Sequence, residues 1–188
     1  MDFFEDFPNL RDMRSFQSRD PRWVVIALTS AFVVFAGLVY MPSGACFAVD
    51  GGIKSLGLAF SYDAALVVQF FAERSPDQLA CYRQFLLQWD VIFALLYGAM
   101  YASWIRALLG SANVMWFVPV MAAVLIDWIE NAVEMLLLDA FSANVELSHG
   151  LVALGSGLNM VKWLSLWIIY GTVLYGIYRK IRMKWNAS

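Results

Sequence analysis

Glu130, Asn131 and Glu134 follow Asp127 by three, four and seven residues within the apolar run 116–138, a spacing that lays all four on one face of a helix. Ionisable groups at lipid depth are costly unless paired, wetted or protonated, so this face is expected to turn away from lipid and to have a function. Carboxyl groups crowded together differ in proton affinity, because a neighbouring carboxylate favours the protonated form and a neighbouring cation the ionised form. Such a set offers both a proton donor and a proton acceptor to a buried substrate.

Two further charged residues belong to the same layer by arithmetic. At 1.5 Å per helical residue, Glu130 and Asn131 stand about 21 to 23 Å above Trp116, Asp90 about 24 Å above Arg106, and Lys162 about 24 Å above Tyr178. Asp90, Asp127, Glu130, Glu134 and Lys162 are therefore the candidate catalytic residues, with Glu130 or Asp127 donating a proton to an alkene, epoxide or leaving oxygen and Asp90 accepting one. Tyr97 and Tyr101, seven and eleven residues after Asp90, fall on about the same face as Asp90. With Asn131, Trp89 and Trp128 they form the candidate substrate-binding set, the ring faces stabilising positive charge. No cofactor is required by this reading. A variant recruits magnesium, calcium or manganese to the carboxylates and Asn131, with His149 joining Glu134 or Glu146, since hard cations prefer oxygen ligands. The chain has no paired Asp-rich or His-rich metal motif to support that variant.

The elements that must hold these groups follow from composition. The 188 residues are 61% hydrophobic and 15% charged, with a mean hydropathy of +0.64, far below the roughly one-quarter charged usage of soluble domains. An all-α integral membrane protein is expected, a single domain with four spans at 23–41, 89–109, 116–138 and 151–178. Residues 1–22 form an N-terminal tail, 42–88 an external cap and 179–188 a C-terminal tail. The tail before Trp23 is long, mixed in charge and followed by no small-residue cleavage site, so the first span is expected to remain as an anchor. Arg11, Arg14, Arg19 and Arg22 precede the first span, Arg106 lies near the turn after the second, and Arg179, Lys180, Arg182 and Lys184 follow the fourth. This bias places both termini in the cytoplasm and the protein in the cell membrane. Trp23, Tyr40, Trp116, Tyr178 and Trp185 read as headgroup-level anchors.

In the external region, Pro42, Ser43 and Gly44 read as the stop of the first helix. Ser61 is the expected start of a short helix reaching Glu73, and Ser75, Pro76 and Gln78 form a capping box with a first-turn proline. No stop follows before Leu109, so the second span is expected to project beyond the bilayer. The apolar stretch 56–71 is too short to span comfortably and fits a re-entrant or interfacial helix, either roofing a cavity or gluing the cap to the bundle. Cys46 and Cys81 both fall on the outer side, where a disulfide and two free thiols are both open readings. Asn159, Ser156, Ser165 and the glycines of the fourth span read as close-packing positions.

Three function classes remain. An acid-base enzyme of the isomerase, cyclase or hydrolase type would act on a lipophilic small molecule or lipid. A proton- or cation-coupled transporter would need a homodimer to build a pathway from so small a chain. A structural protein would use the charges as an ion-pair network that fixes helix register. The cytoplasmic half of the bundle is comparatively bare of charge, which favours the first class. Zinc-finger spacing, a basic recognition helix, a phosphate loop and a serine nucleophile elbow are all absent from the sequence, and no nucleic-acid partner is expected. In the stretches QWDVIFALLYGAMYASW and PVMAAVLIDWIENAVEM the chain resembles, in general character alone, small polytopic isomerases and cyclases of sterols or terpenes, which also place acids and aromatics inside a bundle.

Overall fold

The computed structural model describes residues 21–110 and 113–186; Arg11, Arg14 and Arg19 lie outside them. The described chain is all-helical, with no strand. Helix α1 runs Pro21–Phe35, passes through a π-helical turn at Ala36–Tyr40 and continues over Met41–Gly44. Helix α2 is Ala64–Ala72. Helix α3 begins at Pro76–Gln84, passes a second π-helical turn at Phe85–Asp90 and continues over Val91–Leu109. Helices α4 and α5 are Val118–Ser142 and His149–Trp185. Three helical stretches, Arg22–Phe47, Pro76–Leu109 and His149–Trp185, are long and apolar enough to cross a membrane. With 25 residues α4 is also long enough, but Asp127, Glu130, Glu134 and Asp139 interrupt its apolar run.

Several boundaries depart from the sequence pattern, each for a local reason. Pro42 does not stop α1. The π-helical turn just before it has already changed the hydrogen-bond ladder, with the Met41 N–H donating to the Ala36 carbonyl five residues back, so proline sits at the start of a new helical turn where it is tolerated. The short helix is capped by Asp63 and not Ser61: the Asp63 carboxylate accepts from the Leu66 N–H at 2.8 Å. Of the apolar stretch 56–71 only the second half is α-helical, preceded by a 3₁₀ turn at Leu56–Leu58. The capping box at Ser75 and Gln78 forms as expected, and α3 ends at Gly110, whose positive φ of 63° suits glycine.

Helix α4 packs most extensively against α5, while α3 contacts both and carries α1 on its other side. Gly98 of α3 permits a close approach to α4, since a Cβ there would lie 2.6 Å from Val124 Cγ2. Trp104 donates its indole N–H to Thr29 Oγ1 at 2.8 Å and ties α3 to α1. No residue of the most apolar window of α1 is buried, and Trp23, Leu38 and Met41 are exposed, a surface suited to lipid.

Residues 45–75 pack against the N-terminal end of α5 and the facing part of α4. Asn159 donates to the carbonyls of Leu56 (3.2 Å) and Ala59, and the Tyr62 N–H donates to Ser156 Oγ at 3.0 Å. A disulfide joins Cys46 to Cys81, with the Cα atoms 6.3 Å apart, and fixes the end of α1 to the first turns of α3. Phe47, Leu56, Phe70, Phe71 and Tyr82 form an apolar cluster beneath. Arg74 crosses this cluster, its guanidinium donating to the carbonyls of Phe47 (2.9 Å), Ile53 (2.7 Å) and Phe70 (2.5 Å) and lying 3.6 Å from the Phe70 ring centroid. Burial pushes this guanidinium below its ordinary pKa, and its hydrogen bonds must offset the desolvation. Replacing Arg74 by Ala strands these carbonyls, and thermal unfolding in detergent should report a loss of about 2–4 kcal/mol. Arg74→Lys should recover little, because an ammonium cannot reproduce the planar fork. A wild-type unfolding midpoint for either variant would refute the assignment.

Candidate functional site

The acidic stripe of α4 is inside. Asp127, Glu130, Asn131 and Glu134 are all buried, as are Asp90 on α3 and Lys162 on α5. Lys162 Nζ lies 3.1 Å from Asp127 Oδ1 and 2.6 Å from Glu130 Oε2, so one ammonium serves two carboxyl groups. The other two acids meet tyrosines. Tyr40 donates to Asp90 Oδ1 at 2.8 Å, and Tyr82 donates to Glu134 Oε2. Tyr97 donates to Asp127 Oδ2 at 3.3 Å, and the Asn131 amide donates to the Leu86 carbonyl, also at 3.3 Å. Of the residues that uniform helical rise puts in one layer, Lys162 and Glu130 meet directly.

Backbone geometry sets this arrangement. Both π-helical turns end on a site residue, the first on Tyr40 and the second on Asp90, and those two residues bond to each other. Such turns shift helical phase locally and recur at functional sites. Tyr40 is also stacked on Phe93, with centroids 4.0 Å apart and planes at 17°.

A cavity of about 230 Å³ adjoins the cluster. Asp90, Asp127, Asn131, Glu134 and Lys162 form its polar wall, and Phe32, Phe93, Tyr97, Trp163 and Leu166 contribute to its apolar one. Gly57 closes it from the side of the 3₁₀ turn: a Cβ there would lie 3.2 Å from Lys162 Nζ and 3.3 Å from Glu130 Oε1. Any larger residue at that position would press on the ion pair. Glu130 Oε1 and Glu134 Oε1 are buried with no hydrogen-bond partner. The Tyr62 hydroxyl is likewise unpartnered, and burial together with the nearby Glu134 and Glu130 charges pushes it above its ordinary pKa.

The sequence-derived site residues divide in three. Asp90, Asp127, Glu134, Lys162, Tyr97, Asn131 and Tyr101 line the cavity. Glu130 is wholly buried and stands behind Lys162 without lining it. Trp89 and Trp128 are not brought to the cavity. Trp89 packs near Phe35 and lines a separate crevice beside Cys46 and Cys81, while the Trp128 indole donates to the Val91 carbonyl at 3.3 Å. Each tryptophan adjoins an inward-facing acid in sequence, and successive helical residues point about 100° apart.

Four contributors carried little or misleading signal in the sequence. Tyr40 sits at the end of an apolar run and has the look of a headgroup anchor, yet its hydroxyl is bound to Asp90. Tyr82 and Gly57 lie at the start of α3 and in the 3₁₀ turn before α2, remote in sequence from the carboxyl groups they meet. Asn159, read as a packing position, instead holds the carbonyls on either side of the Gly57 turn. Among the described residues no three His, Cys, Asp or Glu side chains converge as cation ligands, and His149 and Glu146 are exposed whereas Glu134 is buried. The common point of Asp127 and Glu130 is the Lys162 ammonium. Compared with family models, with curated proteins and with solved structures, the chain matches none.

Proposed function

We propose that this chain is an intramembrane acid-base enzyme acting on a lipophilic substrate, with a reaction of the isomerase, cyclase or hydrolase type. In this reading α4 is a fourth span, its charges shielded by α3 and α5, and residues 45–75 cap the outer end of the bundle. Both termini are cytoplasmic and the pocket lies in the outer half of the bilayer. The observation that carries the reading is the cavity wall itself, where a buried ammonium and three buried carboxyl groups face an otherwise apolar enclosure. A stabilising network alone would need no such space.

The residues divide the work by their partners. Lys162 has three N–H donors and spends two directions on Asp127 and Glu130, leaving a third for an oxygen or alkene of the substrate. Asp127 and Glu130 hold Lys162 charged and in place as a hydrogen-bond donor to the substrate, and Asp127, which lines the cavity, delivers the proton. Asp90, facing the cavity under the Tyr40 hydroxyl, accepts the proton lost elsewhere on the substrate. Glu134, Phe93 and Tyr97 stabilise the positive charge that develops in between. Asn131 and Tyr101 bind the substrate's remainder.

The test is to purify the protein gently and identify by mass spectrometry the small lipophilic molecules that remain bound to wild type and to the Asp90→Asn variant. A specific isoprenoid, sterol or other small lipid in wild type, replaced by a chemically distinct precursor in the variant, is the expected result. Bulk phospholipid alone in both, with proton flux across vesicles that Asp90→Asn abolishes, would replace the enzyme by a transporter.

A further inference from the structure

The ionisable groups of the cavity are unevenly paired. Asp127 and Glu130 share the Lys162 ammonium, but Asp90 and Glu134 form no ion pair with any Lys, Arg or His among the described residues. Their partners are neutral: the Tyr40 hydroxyl and the Asn131 amide for Asp90, and the Tyr82 hydroxyl for Glu134. Both acids line the same cavity, and Glu134, only 1% exposed, has its Oε1 unpartnered. A buried carboxyl oxygen without a donor is costly, and a ligand that supplies one is favoured. Aromatic faces stand close by. The rings of Tyr40 and Phe93 stack, Tyr97 meets Phe93 at 5.8 Å, and all three residues line the cavity. Carboxyl groups combined with ring faces are the surroundings that attract organic cations.

Size and position define the rest of the ligand. At about 230 Å³ the cavity is smaller than the roughly 300–1,000 Å³ of pockets that enclose a whole drug-sized molecule, so it takes an end group. Its lining includes Phe32 from α1 and Leu166 and Tyr170 from α5, two helices whose main packing partners are α3 for the first and α4 for the second. Tyr170 is exposed and meets the Tyr101 ring at 5.8 Å. The seam between α1 and α5 is thus edged by apolar and aromatic side chains, and an alkyl chain leaving through it would pass into lipid.

We infer that the cavity receives the cationic end of an amphiphilic amine, with its ammonium against Asp90 and Glu134 and its apolar chain in the seam between α1 and α5. The inference rests on the proposed ligand pocket but not on which reaction follows. A stable ammonium would occupy the place where the enzyme reading develops transient positive charge, so such amines would compete with substrate.

Two photoreactive probes of equal chain length test it, one an alkyl dimethylamine and the other the corresponding alcohol, each carrying a diazirine near the head. The full-length protein is labelled in a non-ionic maltoside detergent at neutral pH, and the labelled peptides are located by mass spectrometry. The amine should label cavity-lining peptides at about one-tenth of the concentration the alcohol requires. Glu134→Gln and Asp90→Asn should each erode that preference, while Arg83→Gln, which is outside the cavity lining and paired with Asp139, should keep it. Equal labelling by amine and alcohol in wild type would overturn the cation assignment and leave a neutral-lipid pocket standing. Absence of labelled cavity peptides with either probe would sink both the inference and the ligand pocket on which it rests. The wild-type comparison decides even where a variant fails to fold.

Discussion

Lys162→Met should unfold the protein at a markedly lower temperature, with a stability loss of about 3–5 kcal/mol. The methionine fills much the same volume, so the loss is electrostatic: Asp127 and Glu130 would remain buried without their cation, and removing one partner of a buried pair costs about this much. The diagnostic step is the repair. The triple variant Lys162→Met with Asp127→Asn and Glu130→Gln removes the charge together with its counter-charges, and should regain most of the lost stability, since neutral replacements of a buried ionic group are often tolerated. It should not regain function, because the proton donor is gone. Thermal melting in detergent separates the outcomes. A Lys162→Met protein as stable as wild type would mean that the ammonium contributes nothing to the fold, and a fully functional triple variant would reduce the cluster to a framework.

Asp90→Asn is expected to do the opposite, leaving the fold and removing the chemistry. The amide oxygen can still accept the Tyr40 hydroxyl bond, so the link between the two π-helical turns survives and the unfolding midpoint should stay near wild type. Turnover of the substrate recovered from the wild-type protein should fall by about 10²–10⁴-fold, the usual contribution of a positioned acid or base. Tyr40→Phe, which removes the bond and leaves the carboxyl group, should fall less. Should Asp90→Asn melt as early as Lys162→Met, Asp90 would belong to the supporting network and not to the reacting centre.

The parts of this arrangement that sequence revealed depend on regular geometry. Asp127, Glu130, Asn131 and Glu134 share a face because α-helical spacing is uniform within α4, and Lys162 meets Glu130 because rise per residue is uniform as well. The burial of Asp90 was legible for the same reason. What escaped depends on irregular backbone or on contacts between distant segments. Tyr40 lies 50 residues from Asp90, and Tyr82 lies 52 from Glu134. Gly57 acquires its place from two carbonyls held by Asn159, a contact that no local pattern announces. Trp89 and Trp128 adjoin the acids in sequence, yet they point elsewhere because successive helical residues diverge by about 100°. Pro42 showed the same limit in the backbone, because a proline that breaks an α-helix is compatible with a ladder already altered one turn earlier.

The two π-helical turns decide where α1 and α3 are sensitive to length as well as to side-chain identity. Each turn accommodates more chain per revolution than an α-helix, so it behaves as an absorbed insertion. Deleting a single residue between Phe85 and Asp90 would let α3 become regular with both flanks facing as they do, whereas the same deletion between Val91 and Tyr97, in regular helix, would rotate the remainder by about 100° relative to the first turns. The Cys46–Cys81 disulfide would still clamp those first turns to α1, so the rotation would fall on the membrane-facing half and carry Tyr97 off the cavity wall. In evolutionary terms chain length is read unevenly along the helix: a one-codon deletion within the π-helical turn can be absorbed, whereas the same deletion one turn later would dismantle the site in a single event.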